Sequence, residues 1–203
     1  MEQENVGLYL GMDISEKYTM ISIYQQHMKE PQTISTIMGS ESYQIPTALA
    51  KKKGVGQWFF GREAKVRVKS GEALGVEDLL DKARTGEEVF LEHEKYAASD
   101  LLAIFLKRVL SLAGSAQAMM PLTKLVICLD KVSVEYMELF SAIMVKLGIE
   151  TDKLLLIDRR ESFYYYALSQ GPETFLHDVV MFDYTESDMV SCRLRRNMHT
   201  TPQ

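Results

Sequence analysis

Thr19, Ile21 and Ile23 alternate with Met20, Ser22 and Tyr24, the period-two pattern of a half-buried strand. VGLYLGMDI just before them is an apolar run of strand formers, and the short polar break between predicts a hairpin. QTISTIM repeats the alternation after Lys29-Glu30-Pro31. Three antiparallel strands are therefore expected to open the protein. The rhythm breaks over residues 43–96. There YQIPTAL, the charged turn AKKKG and VGQWFFGREA predict a small hairpin, followed by a helical piece around VEDLLDKART and a connector. Trp58, Phe59 and Phe60 are expected to pack inside this part.

From residue 98 the pattern becomes α/β. ASDLLAIFLKRVLSLAG has helical spacing, with Ser99 or Asp100 as cap and Gly114 as stop. KLVICL and KLLLI are apolar enough for strands buried on both faces. Between them SVEYMELFSAIMVKLG places Tyr136, Phe140, Ile143, Met144 and Leu147 on one side, with Ser133 as N-cap and Gly148 beyond the end. RESFYYYALSQGP predicts a short helix, and its FYYY run is expected to cross a core interface. HDVVMFD is a strand on which MVSCRLRR pairs back.

Composition narrows the class. The chain has 203 residues, 46% of them hydrophobic, enough for one sizeable core or one domain with a large insertion. Its longest apolar runs, such as LLAIFL, fall well short of the roughly 20 residues of a membrane span. MEQENVGLYL lacks the basic segment and long apolar run of a signal peptide. Two cysteines, Cys128 and Cys192, form no disulfide framework and are expected to be reduced strand residues, which fits the cytoplasm. A net charge of −5 supplies no general attraction to nucleic acid or to an anionic membrane. His27, His93, His177 and His199 have no metal-ligand spacing.

The element order, βββ-(insertion)-αβαβα-ββ, is that of a ribonuclease-H-like mixed sheet with helices on its faces. Two turns repeat: Asp13-Ile14-Ser15-Glu16 and Asp183-Tyr184-Thr185-Glu186, each closing an apolar run. On these residues the chain resembles the actin, heat-shock chaperone and sugar kinase ATPase superfamily. GMDISEKYTMISIY is similar to the first phosphate loop of the chaperone branch, G-x-D-x-G-T-T, and VVMFDYTESDMVS stands where the second, D-x-G-G-G-T, belongs. IPTALAKKKGVGQWFFGREAK resembles the branch's segment leading to G-x-x-A-K. The resemblance implies a first lobe over residues 1–176, with an inserted subdomain at about 43–96. Residues 177–203 are then the first hairpin of a second, truncated lobe, and the chain is expected to be part of a longer one. It further implies ATP and Mg²⁺ as cofactors. Asp13 and Asp183 would hold the metal, Ser15, Lys17, Thr185 and Ser187 would join them around the nucleotide, and Glu161 would orient the attacking water.

The loops depart from that pattern in a way that weakens or removes nucleotide binding. Phosphate loops work because glycines let backbone N–H groups approach the anion. Ser15-Glu16-Lys17 and Thr185-Glu186-Ser187 replace those glycines and put a carboxylate in each loop. A carboxylate about 4 Å from a phosphate costs about 1 kcal/mol in water and about 4 kcal/mol in a partly dry cleft. The expected function is therefore a scaffold or protein-interaction module, binding a protein partner or itself, with ATP and Mg²⁺ weak or absent. An active Mg-ATP-dependent ATPase is the alternative. A metal-dependent nuclease using Asp13, Asp130 and Asp183 is a third reading, opposed by the acidic charge.

Overall fold

Leu8, Leu10, Met12 and Ile14 share one side of a strand, and that side is buried. The computed structural model describes residues 7–37, 39–114, 121–171, 178–184 and 189–195. Along the chain these form β1 (Leu8–Ile14), β2 (Tyr18–Gln25), β3 (Gln32–Thr33), β4 (Ile45–Pro46), β5 (Leu49–Lys52), β6 (Trp58–Phe60), α1 (Gly61–Lys69), β7 (Ala73–Val76) and α2 (Leu79–Thr85). There follow β8 (Glu88–Leu91), β9 (Glu94–Ala97), α3 (Ala98–Gly114), β10 (Leu122–Leu129), α4 (Val134–Lys146), β11 (Leu154–Asp158), α5 (Arg159–Ser169), β12 (Val179–Tyr184) and β13 (Met189–Leu194). The chain is thus a mixed α/β protein.

The central sheet runs β11-β10-β1-β2-β3, with β4 also pairing β2. β1 pairs antiparallel with β2 and parallel with β10, which pairs parallel with β11. One face of this sheet carries the core. Leu10, Met12, Ile14, Ile21, Leu125, Ile127 and Leu129 lie under α3 and α4, which bring Leu101, Leu102, Phe105, Leu106, Phe140, Ile143 and Met144. The expected α4 stripe is borne out, as is its cap: the Ser133 hydroxyl accepts the Tyr136 N–H at 3.4 Å. At the other end Gly148 takes φ +72° and Ile149 N–H bonds the Met144 carbonyl at 2.9 Å, closing the helix as the sequence predicts.

The second face differs from expectation. Val126 and Cys128 are only half-buried, and Leu155 on β11 is exposed, so neither KLVICL nor KLLLI is buried on both sides. α5 lies against β10 and β11 but covers little of them. Nor does FYYY cross an interface: Phe163 is half-buried while Tyr164, Tyr165 and Tyr166 face outward. β12 and β13 pair with each other alone among the described residues. They turn Val180, Phe182, Tyr184 and Met189 outward.

Three other expectations change. QTISTIM is a strand only over Gln32–Thr33, because the hydroxyls beyond it bond locally. Ser35 Oγ donates to the Ile37 carbonyl at 2.9 Å, and Thr36 Oγ1 to that of Ser42 at 3.0 Å. α3 starts at Ala98, directly after β9, so Ser99 and Asp100 lie in its first turn rather than capping it. GREAKVRVK, unread as a helix, becomes α1 because Gly61 turns the chain at φ +61°.

The 49–97 stretch builds two small sheets, β6-β5-β7 and β8-β9. Phe59 packs with Ala50, Ala64 and Ala73, as expected, while Trp58 sets its ring edge against Tyr96. The β8-β9 hairpin, read only as a connector, is tied back by Lys51. That ammonium is buried and bonds Glu94 at 2.5 Å and Glu92 at 3.3 Å. Among the described residues no helix is long and apolar enough to cross a membrane.

Phe105 touches both the sheet's buried face and the Phe60 ring, 6.5 Å away, and is fully buried. Phe105→Ala is expected to cost about 3–5 kcal/mol of unfolding free energy, measured by urea denaturation.

Candidate functional site

Parallel strands deliver the residues after their carboxyl ends to one edge of the sheet, the usual place for sites in such sheets. Asp13 lies beside Cys128 in register, and Leu129 beside Asp158, so Asp130 and Arg159 both emerge near Asp13. Asp183, next to last in β12, arrives from the separate hairpin. All three aspartates converge on Arg159. Its Nη1 lies 3.2 Å from Asp13 Oδ2 and 3.5 Å from Asp183 Oδ2, and its Nε donates to Asp130 Oδ1 at 2.5 Å. The Arg159, Asp13 and Asp183 side chains are 18%, 26% and 20% exposed, whereas that of Asp130 is 70% exposed. The Asp13 and Asp183 arms therefore act in a partly dry setting, and the Asp130 arm is screened by water.

One guanidinium faces three carboxylates, and the proton affinities follow. Burial pushes the Asp13 carboxyl above its ordinary range. Arg159 pulls it back only partly, while Asp130 and Asp183 add to the rise. Asp13 Oδ1 is buried with no hydrogen-bond partner, so half the carboxylate is desolvated with nothing in return. Burial also works against the Arg159 charge, but the bond to Asp130 and the charges of Asp13 and Asp183 outweigh it and hold the proton more firmly. Burial, with Asp13 nearby, pushes the Cys128 thiol up to about 12, so this free cysteine is a thiol rather than a nucleophile at neutral pH.

The sequence-predicted residues separate into those at this cluster and those away from it. Asp13 and Asp183 meet through Arg159. Glu161 is exposed on the first turn of α5, its backbone N–H donating to the capping Asp158 carboxylate at 2.8 Å. Ser15 is committed to the β1-β2 turn, its hydroxyl donating to the Tyr18 carbonyl at 3.0 Å. Lys17 is exposed, and its carbonyl accepts from Thr47 N–H at 3.0 Å. Thr185 and Ser187 lie outside the described residues.

Two residues that sequence reasoning left without a role now carry the geometry. One is Arg159. The other is Glu16, whose carboxylate takes the backbone N–H groups of Leu80, at 3.3 Å, and Asp81. Burial raises the Glu16 proton affinity, and those two N–H bonds partly offset it. The readable signal for Arg159 was its position as the first residue of a helix. A cation is disfavoured there by the helix dipole unless carboxylates meet it.

Mg²⁺ requires close oxygen ligands in near-octahedral geometry. Arg159 stands among the carboxylates that would supply them, and among the described residues no group of three or more His, Cys, Asp or Glu side chains is arranged for a metal ion. The first loop offers no glycine cradle, and Glu16 already uses the amides it faces. The described residues around Arg159 do not fit Mg²⁺ or a polyphosphate.

Residues 30–203 match the model of the C-terminal part of the family of unknown function DUF5716, and the chain belongs to that family. The matched span contains Asp130, Arg159 and Asp183. No curated protein matches the chain.

The raised Asp13 carboxyl has a signed consequence. It binds its proton more tightly folded than unfolded, so its contribution is fully present below the unfolded pKa and is lost as pH rises through the folded one. Asp13→Asn abolishes this titration. The stability of the variant relative to wild type is expected to increase from about pH 4 to about pH 7, read by chemical denaturation across that range.

Proposed function

We propose that this chain is a scaffold or protein-interaction module built on a ribonuclease-H-like, actin-like lobe that has given up nucleotide. The observation that carries this reading is Arg159, standing between Asp13, Asp130 and Asp183 where a cation-dependent nucleotide site would need them free. The sheet order β11-β10-β1-β2-β3 supports the lobe, with β1 flanked by an antiparallel hairpin partner and a parallel strand. So does the repeat of Asp13 and Asp183, both near the ends of first-of-hairpin strands and both reaching the same guanidinium. On this reading residues 1–176 are the first lobe, about 43–96 its insertion, and 177–203 the opening hairpin of a second.

The outward aromatic surface supports a partner or self-association. Tyr164, Tyr165 and Leu168 on α5, and Val180, Phe182, Tyr184 and Met189 on the hairpin, are all exposed. Beyond its charged first turn, α5 buries Ala167 against the sheet and turns Tyr164, Tyr165, Tyr166 and Leu168 to solvent, an apolar outer surface left for a partner to cover. The two free cysteines suit a reducing, cytoplasmic setting.

Calorimetric titration of Mg-ATP into the chain tests the loss of nucleotide. No heat of binding is expected at millimolar ligand. Micromolar binding by wild type that disappears in Asp13→Ala would replace this reading with the ATPase.

A further inference from the structure

We propose that Arg159 is the resident cation of the strand-end aspartates, doing the charge-neutralising work of a divalent metal ion and thereby making this site independent of metal. The proposal goes beyond the interaction reading and does not depend on it.

Four observations converge. First, Asp13, Asp130 and Asp183 come from three different strand ends, far apart in sequence, and a single guanidinium touches them all. Three carboxylates brought together without a cation repel one another, and two of these are largely out of water. Second, Arg159 opens α5, where its own helix dipole opposes a positive charge. Local preference argues against an arginine there, so its place is explained by the tertiary partners it meets. Third, its side chain is 18% exposed, although free arginines stay in water. Fourth, Asp13 Oδ1 is buried and unpaired, an oxygen with lone pairs still to offer.

The charge is what excludes a metal ion, and the guanidinium adds geometry to it. It presents several N–H donors in a fixed plane, so one residue can address carboxylates from separate directions. Nε serves Asp130 while Nη1 lies between Asp13 and Asp183. The link to Asp183 is also a direct ion pair from α5 to the terminal hairpin, whose strands otherwise pair only with each other among the described residues. Arg159 thus joins β1, β10, α5 and the hairpin at one point. Hard cations with oxygen ligands, Mg²⁺, Mn²⁺ and Ca²⁺, are the chemical class it excludes.

Removing the guanidinium should convert the cluster into a site for those ions. The test titrates MgCl₂, MnCl₂ and CaCl₂ separately into wild type, Arg159→Ala and the Arg159→Ala/Asp13→Asn double variant at constant ionic strength. Thermal melting and calorimetry provide the readouts. Wild type is expected to bind none of them at this site and to melt at a temperature indifferent to divalent ions. R159A is expected to melt lower and to regain roughly 5–10 °C with an ion at about 100 times its dissociation constant. The double variant is expected to lose that response. One divalent ion bound per wild-type chain, lost in Asp13→Asn, would overturn the proposal. So would an R159A protein as stable as wild type and blind to all three ions. Should R159A fold only with metal, the proposal stands in its strongest form. Should R159A fail to fold under either condition, Arg159→Lys decides. Metal indifference in that variant, which keeps one fixed cation, supports the proposal, and a metal-dependent melting temperature sinks it. Binding of ATP by wild type without any divalent ion would remove the interaction reading and leave this one intact.

Discussion

Arg159 must stay charged in a place where both its burial and its own helix disfavour charge, and three carboxylates make that possible. The balance is uneven, since one positive group faces three negative ones, and it does not offset the burial of Asp13, whose Oδ1 has no hydrogen-bond partner. Asp13 therefore holds its proton more tightly than an ordinary aspartate, while Arg159 holds its own more tightly than an ordinary arginine. Both shifts follow from one geometry. The ends of β1, β10 and β12 reach a common point, and the first residue of α5 is the cation that joins them.

The same economy recurs where Glu16 meets α2. A carboxylate in the β1-β2 turn accepts the N–H groups of Leu80 and Asp81, so the turn is bonded from within the chain. Lys51 does likewise for the β8-β9 hairpin, engaging Glu92 and Glu94. In each case a charged side chain reaches a segment distant in sequence and fixes how two parts of the fold meet. The apolar core is simpler. It is one face of the central sheet beneath α3 and α4, while the second face and the terminal hairpin carry apolar side chains that this chain leaves half-covered or exposed.

That asymmetry explains which parts of the fold were legible. Strands β1 and β2 and helices α3 and α4 were readable because each has a strong period of its own and buries the residues that the period selects, and β10 and β11 because each is an almost unbroken apolar run. Burial on both faces was over-read for β10 and β11, since an apolar run records a strand's capacity to be covered and not the presence of a cover. The same holds for Tyr164 to Tyr166. β8 and β9 were missed because each is only four residues long and Glu88, Glu92 and Glu94 interrupt the apolar signal. They are held both by Leu91, Val89 and Tyr96 packing on the core and by the ion pairs of Lys51. α1 was missed because its start rests on the backbone angle of a single glycine.

The sequence by itself determined the alternation of elements, the repeated Asp-x-Ser/Thr-Glu turn, the Ser133 cap and the absence of glycines from both loops. These are local properties, set by side-chain period, capping chemistry and the conformational range of each residue. Only the tertiary structure decided that Asp13, Asp130 and Asp183 share Arg159 and that Glu16 turns to α2 rather than outward. It also decided that Glu161 stays apart from the cluster. Those outcomes depend on which strand lies beside which and at what register, and on the balance between desolvation and charge at a point that no single segment contains.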